Sequence, residues 1–203
     1  MFLRSESLKE YIRLYPVISV VLLINIGLFI AMEVAGSSTS NATLFEFGAM
    51  FKLEGYAGPE PWRFVSSMFL HIGFMHLLMN GFALYVFAAP LERMFGKWRF
   101  AVLYLASGII GSIASYWLHP GDFIGAGASG AIYGIYAAYL YLSIFYKDVF
   151  GKDNAVAIQT ILVVGVIYSI VMPNVDLYAH LGGFAGGLLA TAVIFAVARR
   201  RRQ

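Results

Sequence analysis

The sequence predicts an all-α, polytopic membrane protein with six transmembrane helices and both termini in the cytoplasm. Of its 203 residues, 60% are hydrophobic and 12% are charged, against about 25% charged residues in a typical soluble domain. Apolar runs close to the roughly 20 residues that span a bilayer as a helix recur along the chain. Lysine and arginine residues are concentrated in alternate segments between these runs, so that they fall on one side of the predicted membrane. The length fits a single domain, so we expect one membrane domain over residues 1–203.

Charged residues and prolines bound the six apolar runs. Pro16 opens the first run, and a proline suits the first turn of a helix. Pro90, Pro120 and Pro173 lie at or beyond the ends of runs, where the missing N–H does least harm. A long polar loop leads from the first run to Arg63. The predicted spans cover residues 16–35, 64–89, 98–118, 129–146, 155–172 and 176–198.

The lysines and arginines indicate the orientation of the bundle. All 14 of them except Lys52 and Arg63 fall before the first span, after the last span, or in or next to the second and fourth connections. Cytoplasmic segments are enriched in these residues, so both termini are predicted to be cytoplasmic. We interpret the basic run at 199–202 as an anchor near anionic lipid, with no nucleic-acid partner.

Four polar residues in the apolar runs lie at a similar predicted depth. His76 and Asn80 belong to span two, Ser129 begins span four, and His180 lies in span six. Their depths are counted from charges taken as cytoplasmic: Glu92 for His76 and Asn80, Lys147 for Ser129, and Arg199 for His180. All four lie about 18–28 Å up, in the outer half of a core about 30 Å thick. Strongly polar side chains are costly in a bilayer, so their convergence indicates a functional site. His71 points about 140° away from His76 on a helix and is interpreted as structural.

Small-residue faces on spans four and six predict that these helices pack closely. Such faces let membrane helices approach each other. Contact between the two faces would bring Ser129 beside His180. The faces consist of Gly130 with Gly134 and of Gly183 with Gly187.

The four polar residues have complementary chemistry for the hydrolysis of an amide. A serine becomes a nucleophile when an adjacent base takes its proton, and the neutral imidazole of His180 is the usual kind of base. Attack creates an oxyanion, which the side chains of His76 and Asn80 and the backbone N–H of Ser129 can stabilise. Gly127 permits an irregular loop that leaves this N–H unpaired.

Other catalytic classes fit the sequence less well. The absence of cysteine excludes thiol catalysis and disulfides, and the absence of an H-E-x-x-H motif disfavours a metalloprotease. Asp122 and Asp176 occupy loop or cap positions, which disfavours a paired aspartyl site, and Asp176 is expected to cap the sixth helix. With no carboxylate inside a span, a dyad of Ser129 and His180 is the economical interpretation. Tyr133, one turn after Ser129, either supports the imidazole or serves in plain packing.

Three segments carry the polar candidates in a fixed order. They read FLHIGFMHLLMN at 69–80, GAGASGAIYG at 125–134 and AHLGGFAGG at 179–187, accompanied by WR at 62–63 and LERMFG at 91–96. Together these motifs resemble the rhomboid family of intramembrane serine proteases. The six spans with both ends inside are also similar to the basic bacterial form of that family, and the motifs cover most of the chain.

The resemblance implies a role for each matching residue. Ser129 would be the nucleophile and His180 the general base and acid. His76 and Asn80, with Ser129, would form the oxyanion hole, and Tyr133 would support the histidine. Further supporting positions would be Gly127, Gly130, Gly183 and Gly187.

The resemblance also implies what this protein does and where it acts. It would be an intramembrane serine endopeptidase that cleaves transmembrane protein substrates near the outer face of the cell membrane, without a metal or cofactor. Substrate would be admitted beside span five and the 173–178 loop.

Two other functions remain open from the residues alone. A non-proteolytic membrane protein that binds or retains transmembrane helices would leave its partners intact. A small transporter could use Ser129, His180 and the glycine break as a path, although no inverted repeat is evident. Each polar residue taken singly is also compatible with packing, capping or contacts between helices.

Overall fold

The computed structural model describes residues 6–172 and 175–200, and its long helices follow the apolar runs of the sequence. Within these residues, five helices are long and apolar enough to cross a membrane. Arg4, Pro173, Arg201 and Arg202, which were used above for span ends and orientation, lie outside the described residues. The five helices are α2 (Pro16–Ala35), the continuous helix Phe74–Phe95, α7 (Lys97–Leu118), α10 (Lys152–Val171) and α11 (Leu177–Arg200).

The fourth predicted span, 129–146, is the shorter helix α8 (Ser129–Phe145), which has 17 residues. Twelve of these residues are buried, because α7, α10 and α11 all pack against it. At a rise of about 1.5 Å per residue, α8 is about 26 Å long. A helix surrounded by protein can begin below a membrane surface, since its neighbours shield the backbone groups at its end.

The predicted second span, 64–89, begins too early. Its first residues form the short helix α4 (Arg63–Ser66) and a 3-10 turn (Ser67–Phe69). The chain then turns at Gly73, whose φ of +79° suits glycine, and the long helix begins at Phe74. Hydropathy placed the start of this span too early, because a segment that packs against the rest of the protein is as apolar as one that faces lipid.

The same prediction also ends too early, because Pro90 lies inside the helix. The helix consists of α5 (Phe74–Ala83), a π-helical turn (Leu84–Ala88) and α6 (Ala89–Phe95). A proline removes one backbone donor and collides with the preceding turn. The wider π turn, which ends two residues before Pro90 at Ala88, accommodates both effects, and the helix continues.

Glu92 is buried, so it is not the cytoplasmic surface charge from which the depth of His76 was counted. Its carboxylate accepts hydrogen bonds from the backbone N–H groups of Val17 (3.0 Å) and Ile18 (2.9 Å). These donors lie in the first turn of α2, where helical N–H groups have no partner within the helix. A carboxylate is also favoured at this end by the helix dipole. Glu92 therefore ties the second long helix to the first.

A small sheet holds the segment that precedes α8. Strand β1 (Met50–Lys52) pairs antiparallel with β2 (Phe123–Gly125), with Phe51 opposite Ile124. Because β1 belongs to the first loop, the sheet holds the chain segment that leads into Ser129 against that loop.

The first loop is folded rather than merely polar, and Arg63 is its buried anchor. The loop contains α3 (Asn41–Phe47). The Nη1 of Arg63 donates to the carbonyl oxygens of Phe45 (2.7 Å) and Ala49 (3.1 Å). Its Nε donates to Glu60, and this hydrogen bond lowers the pKa of the exposed carboxyl. Arg63 thus joins the end of α3 to the start of α4.

Besides α3, two further short helices of the described residues lie outside the predicted spans. They are α1 (Leu8–Leu14) and α9 (Lys147–Phe150). Ser7 and Glu10 form a reciprocal capping box at the start of α1. The Ser-x-x-Glu pattern was visible in the sequence and could have predicted this helix.

Candidate active site

Helices α8 and α11 touch along their glycine faces. In each opposed pair, a Cβ on the glycine of α11 would overlap main-chain atoms of α8. Only glycine permits so close an approach. The contact begins one residue after Ser129 and three residues after His180, so it brings the first turns of both helices together. The pairs are Gly130 with Gly183 and Gly134 with Gly187.

We predict that Gly183→Ala destabilises the protein. The added methyl group would meet the carbonyl group of Gly130, which is backbone and cannot rotate away, and overpacking of this kind costs about 1–3 kcal/mol. Gly27→Ala is the matched control, since Gly27 is helical and a Cβ there has no neighbour within 4 Å. Thermal unfolding in the same detergent compares the two variants. Equal melting temperatures would contradict the close backbone contact.

The imidazole of His180 is buried and is held by two side chains. It stacks on the ring of Tyr133, with centroids 4.1 Å apart and planes 13° apart. Its Nδ1 lies 2.7 Å from the Oγ of Ser169 in α10. Residues four apart share a helix face, so Tyr133 lies on the side of α8 that carries Ser129. The imidazole therefore lies beside this face.

The imidazole of His76 lies against the loop that leads into Ser129. A Cβ on Gly127 would come 2.7 Å from Cε1 and 2.9 Å from Nε2 of His76, and 3.7 Å from the Oγ of Ser129. Gly127 also has a φ of +144° and donates its N–H to the carbonyl oxygen of Ser67 at 2.9 Å. A side chain at 127 would therefore displace His76 from the neighbourhood of Ser129.

A backbone hydrogen bond fixes which nitrogen of His76 carries the proton. The N–H of Ile72 donates to Nδ1 at 3.3 Å, so Nδ1 is the acceptor. A neutral imidazole then carries its proton on Nε2. This nitrogen borders Gly127, so a hydrogen-bond donor lies beside the loop that leads into the candidate nucleophile.

Asn80 is buried on the same helix, and its Nδ2 donates to the carbonyl oxygen of His76 at 2.9 Å. Its amide has a second N–H. Within residues 6–172 and 175–200, no hydrogen bond joins the Oγ of Ser129 to His180 or to Asn80. Catalytic hydrogen bonds are often long before substrate binds.

The start of α8 is suited to negative charge. Its first backbone hydrogen bond runs from the N–H of Ile132 to the carbonyl oxygen of Ala128 at 3.0 Å. The N–H groups of the preceding residues, beginning with Ser129, have no partner inside the helix. They form the positive end of the helix dipole, so an anion beside Ser129 would be stabilised.

Asp176 caps α11, as the sequence predicted. Its Oδ1 accepts the N–H of Ala179 at 2.9 Å, and its other oxygen accepts the hydroxyl of Ser115. The cap positions the first turn of α11, and with it the backbone of His180. The imidazole of His180 makes its side-chain hydrogen bond to Ser169 rather than to Asp176.

His71 lies next to the site without sharing the face of His76 and Asn80. It belongs to the turn before α5 and is fully buried. Its ring meets that of His76 edge-on, with centroids 5.3 Å apart. Burial lowers the pKa of His71 to about 3, so its imidazole is neutral at ordinary pH and supports His76 by packing.

Ser169 is the residue of this site that the sequence analysis missed. It is buried on α10, a helix that is otherwise mostly exposed. A serine in an apolar helix usually bonds to the backbone of its own helix. The sequence therefore held no signal that this serine faces His180.

Comparison with known proteins identifies the fold around these residues. A family model described as "Rhomboid domain" matches residues 58–197, which include every candidate site residue. YdcA of Bacillus subtilis, whose name assigns it to the rhomboid proteases, is 36% identical over 201 residues, covering 99% of this chain and 100% of that protein.

Two other relatives are longer than this chain. The rhomboid protease GluP of Bacillus subtilis is 37% identical over 171 residues, which are 84% of this chain and 33% of that protein. The rhomboid-type serine protease 2 of Emericella nidulans is 36% identical over 147 residues, which are 67% of this chain and 27% of that protein. The chain thus matches a third or less of these two relatives.

Proposed function

This chain belongs to the rhomboid family of intramembrane serine proteases, and we propose that it cleaves transmembrane protein substrates with a dyad of Ser129 and His180. It is a multi-pass membrane protein and a serine endopeptidase. The observation that carries the proposed dyad is the stack of His180 on Tyr133, one turn from Ser129, at the end of the α8–α11 glycine contact.

In the proposed reaction, the Oγ of Ser129 attacks the carbonyl carbon of the scissile peptide bond. Its proton passes to Nε2 of His180, and the carbonyl oxygen becomes an oxyanion. The Nε2–H of His76, the side chain of Asn80 and the backbone N–H of Ser129 stabilise that oxyanion. Donors already fixed in a site of low dielectric act strongly on developing charge.

The tetrahedral intermediate then collapses and releases the first product. His180 returns its proton to the leaving amine as the C–N bond breaks, which leaves an acyl ester on Ser129. Water gives a proton to His180 and attacks the ester, and release of the second product restores the dyad. Every proton is carried by His180, so no other titrating side chain is required.

We also propose how the protein lies in the cell membrane. Helix α8 would be a sixth span, packed against four of the five longer helices, with both termini cytoplasmic and residues 1–203 forming one domain. Ser129 and His180 both lie in the first turns of their helices, which supports a site near one face. The distribution of basic residues supports the outer face.

Substrate access beside α10 is supported by how little of that helix is buried. Of an apolar stretch of 18 residues in α10, 17% of the residues are buried, whereas the buried share is 22–33% in the corresponding stretches of the other four long helices. A weakly packed helix separates from the bundle at lower cost than a deeply packed one. A substrate helix admitted there would meet Ser129 from the side of His180.

The test combines mapping of the cut with covalent labelling. A transmembrane substrate is incubated with the purified protein in liposomes, and mass spectrometry locates any cut, which we expect near the outer end of the substrate helix. A fluorophosphonate should label Ser129 and block cleavage. Ser143→Ala, a buried serine that bonds to the carbonyl oxygen of Leu140 in its own helix, should cleave normally. Intact but retained substrates, with no labelling of Ser129, would favour the non-proteolytic helix-binding function.

A further inference from the structure

The hydroxyl of Ser169 has three hydrogen-bond partners from three helices. Its Oγ lies 2.7 Å from the carbonyl oxygen of Gly165, one turn earlier in α10. It lies 3.0 Å from the hydroxyl of Tyr133 in α8 and 2.7 Å from the Nδ1 of His180 in α11. Its side chain is therefore shared between its own helix and the two helices that carry the site.

The chemistry of these partners assigns the direction of each bond. A serine hydroxyl has one proton and two lone pairs. The carbonyl oxygen of Gly165 can only accept, so it takes the single proton of Ser169. Both lone pairs of Ser169 then accept, one from the hydroxyl of Tyr133 and the other from an N–H at Nδ1 of His180. This is the one arrangement that satisfies all three contacts with a neutral imidazole.

We propose that Ser169 is a positioning residue that holds the proton of His180 on Nδ1 and leaves Nε2 unprotonated. The inference rests on the proposed role of His180 as the base that receives the proton of Ser129. Only an imidazole nitrogen with a free lone pair can do so. Ser169, with Gly165 behind it, supplies the tautomer control that a buried aspartate supplies in a serine protease triad.

Ser169 also remains a suitable partner after the proton has moved. Transfer from Ser129 to Nε2 gives an imidazolium with both nitrogens protonated. The N–H at Nδ1 keeps its acceptor in the Oγ of Ser169, which in turn donates to Gly165. No proton needs to leave Nδ1, and no charge forms on Ser169.

The surroundings of Ser169 keep its hydroxyl away from water and give Tyr133 room to reach it. Ser169 is 4% exposed, so water does not replace its hydroxyl easily. A Cβ on Gly165 would lie 2.7 Å from the hydroxyl of Tyr133. The absence of that Cβ lets Tyr133 reach Ser169 while its ring stacks on His180.

The kinetic test compares Ser169→Ala, Ser169→Thr and the control Ser143→Ala in liposomes. Loss of one buried hydrogen bond to the base should lower the kcat of Ser169→Ala by about 10- to 100-fold, with KM unchanged. Ser169→Thr keeps the hydroxyl and should retain most of the activity. A rise in KM with kcat unchanged would assign Ser169 to packing along the access route and would overturn the proposal, as would equal losses in the alanine and threonine variants.

A second measurement decides the point without using protease activity. In protein labelled with nitrogen-15 at histidine, NMR distinguishes protonated from unprotonated ring nitrogens, and His180→Ala identifies the signals of His180. We expect Nδ1 to be protonated in the wild type and the other tautomer to gain population in Ser169→Ala. Unchanged signals would overturn the role of Ser169. Failure of the wild type to cleave any substrate would count against the proposed function alone.

Discussion

Alanine at Ser129 or His180 is expected to reduce kcat by roughly 10⁴- to 10⁶-fold, and alanine at both positions is expected to cost no more than the worse single change. The nucleophile and its base act as one unit. Without the base, Ser129 keeps its proton, and without the nucleophile His180 has no hydroxyl to activate. The remaining rate would come from the oxyanion donors and from substrate positioning.

The measurement is a mutant cycle in liposomes with Ser129→Ala, His180→Ala and the double variant. Ser143→Ala controls for the loss of a buried serine hydroxyl. Thermal unfolding of each variant separates damage to the fold from damage to the chemistry. Losses that multiply in the double variant would show that the two residues act independently and would contradict the dyad. Intact activity in Ser129→Ala, with contamination excluded, would overturn the proposed mechanism.

Hydropathy predicted four of the five long helices of the described residues closely. The first predicted span, 16–35, coincides with α2, and the start of α8 at Ser129 was also predicted. The errors fall where other parts of the protein decide the local structure. Residues 64–72 are apolar because they pack on protein, and Pro90 is tolerated because a π turn precedes it. Neither the packing of residues 64–72 on protein nor the π turn before Pro90 can be recognised from the hydropathy of the sequence.

The residues of the candidate site could be predicted where their type is unusual for the apolar segment in which they lie. His180 is an imidazole in an apolar helix, and the regular spacing of glycines correctly indicated where α8 and α11 meet. Ser169 is not exceptional in this sense, because serines are common in membrane helices. Its contact with His180 depends on how α10 packs. Glu92 was misread for a similar reason, since only the fold brings it to the first turn of α2.

Removal of the donor at His76 is expected to slow turnover by roughly 100- to 1,000-fold. The Nε2–H of His76 borders Gly127, two residues before Ser129, and in the proposed mechanism the oxyanion forms beside it. Such a donor acts on charge that exists only after attack has begun, so kcat should fall while KM stays nearly constant. His76→Leu removes the donor and keeps an apolar side chain of moderate size.

His76→Gln is the paired variant, because its side-chain amide can donate to the same region. We expect it to recover part of the activity lost in His76→Leu. Kinetics with one transmembrane substrate in liposomes, together with thermal unfolding, compares the two variants. A leucine variant that unfolds like the wild type and cleaves at the wild-type rate would remove His76 from the mechanism. Equal losses in both variants at equal stability would assign His76 to packing rather than to donation.

Asn80 should matter less than His76, and the difference follows from its hydrogen bond. Its Nδ2 already donates to the carbonyl oxygen of His76, so only the second amide hydrogen is left for an oxyanion. Asn80→Ala is therefore expected to lower kcat by a smaller factor than His76→Leu in the same assay. The reverse order would mean that the amide turns toward the substrate during reaction, and that Asn80 rather than His76 is the principal side-chain donor.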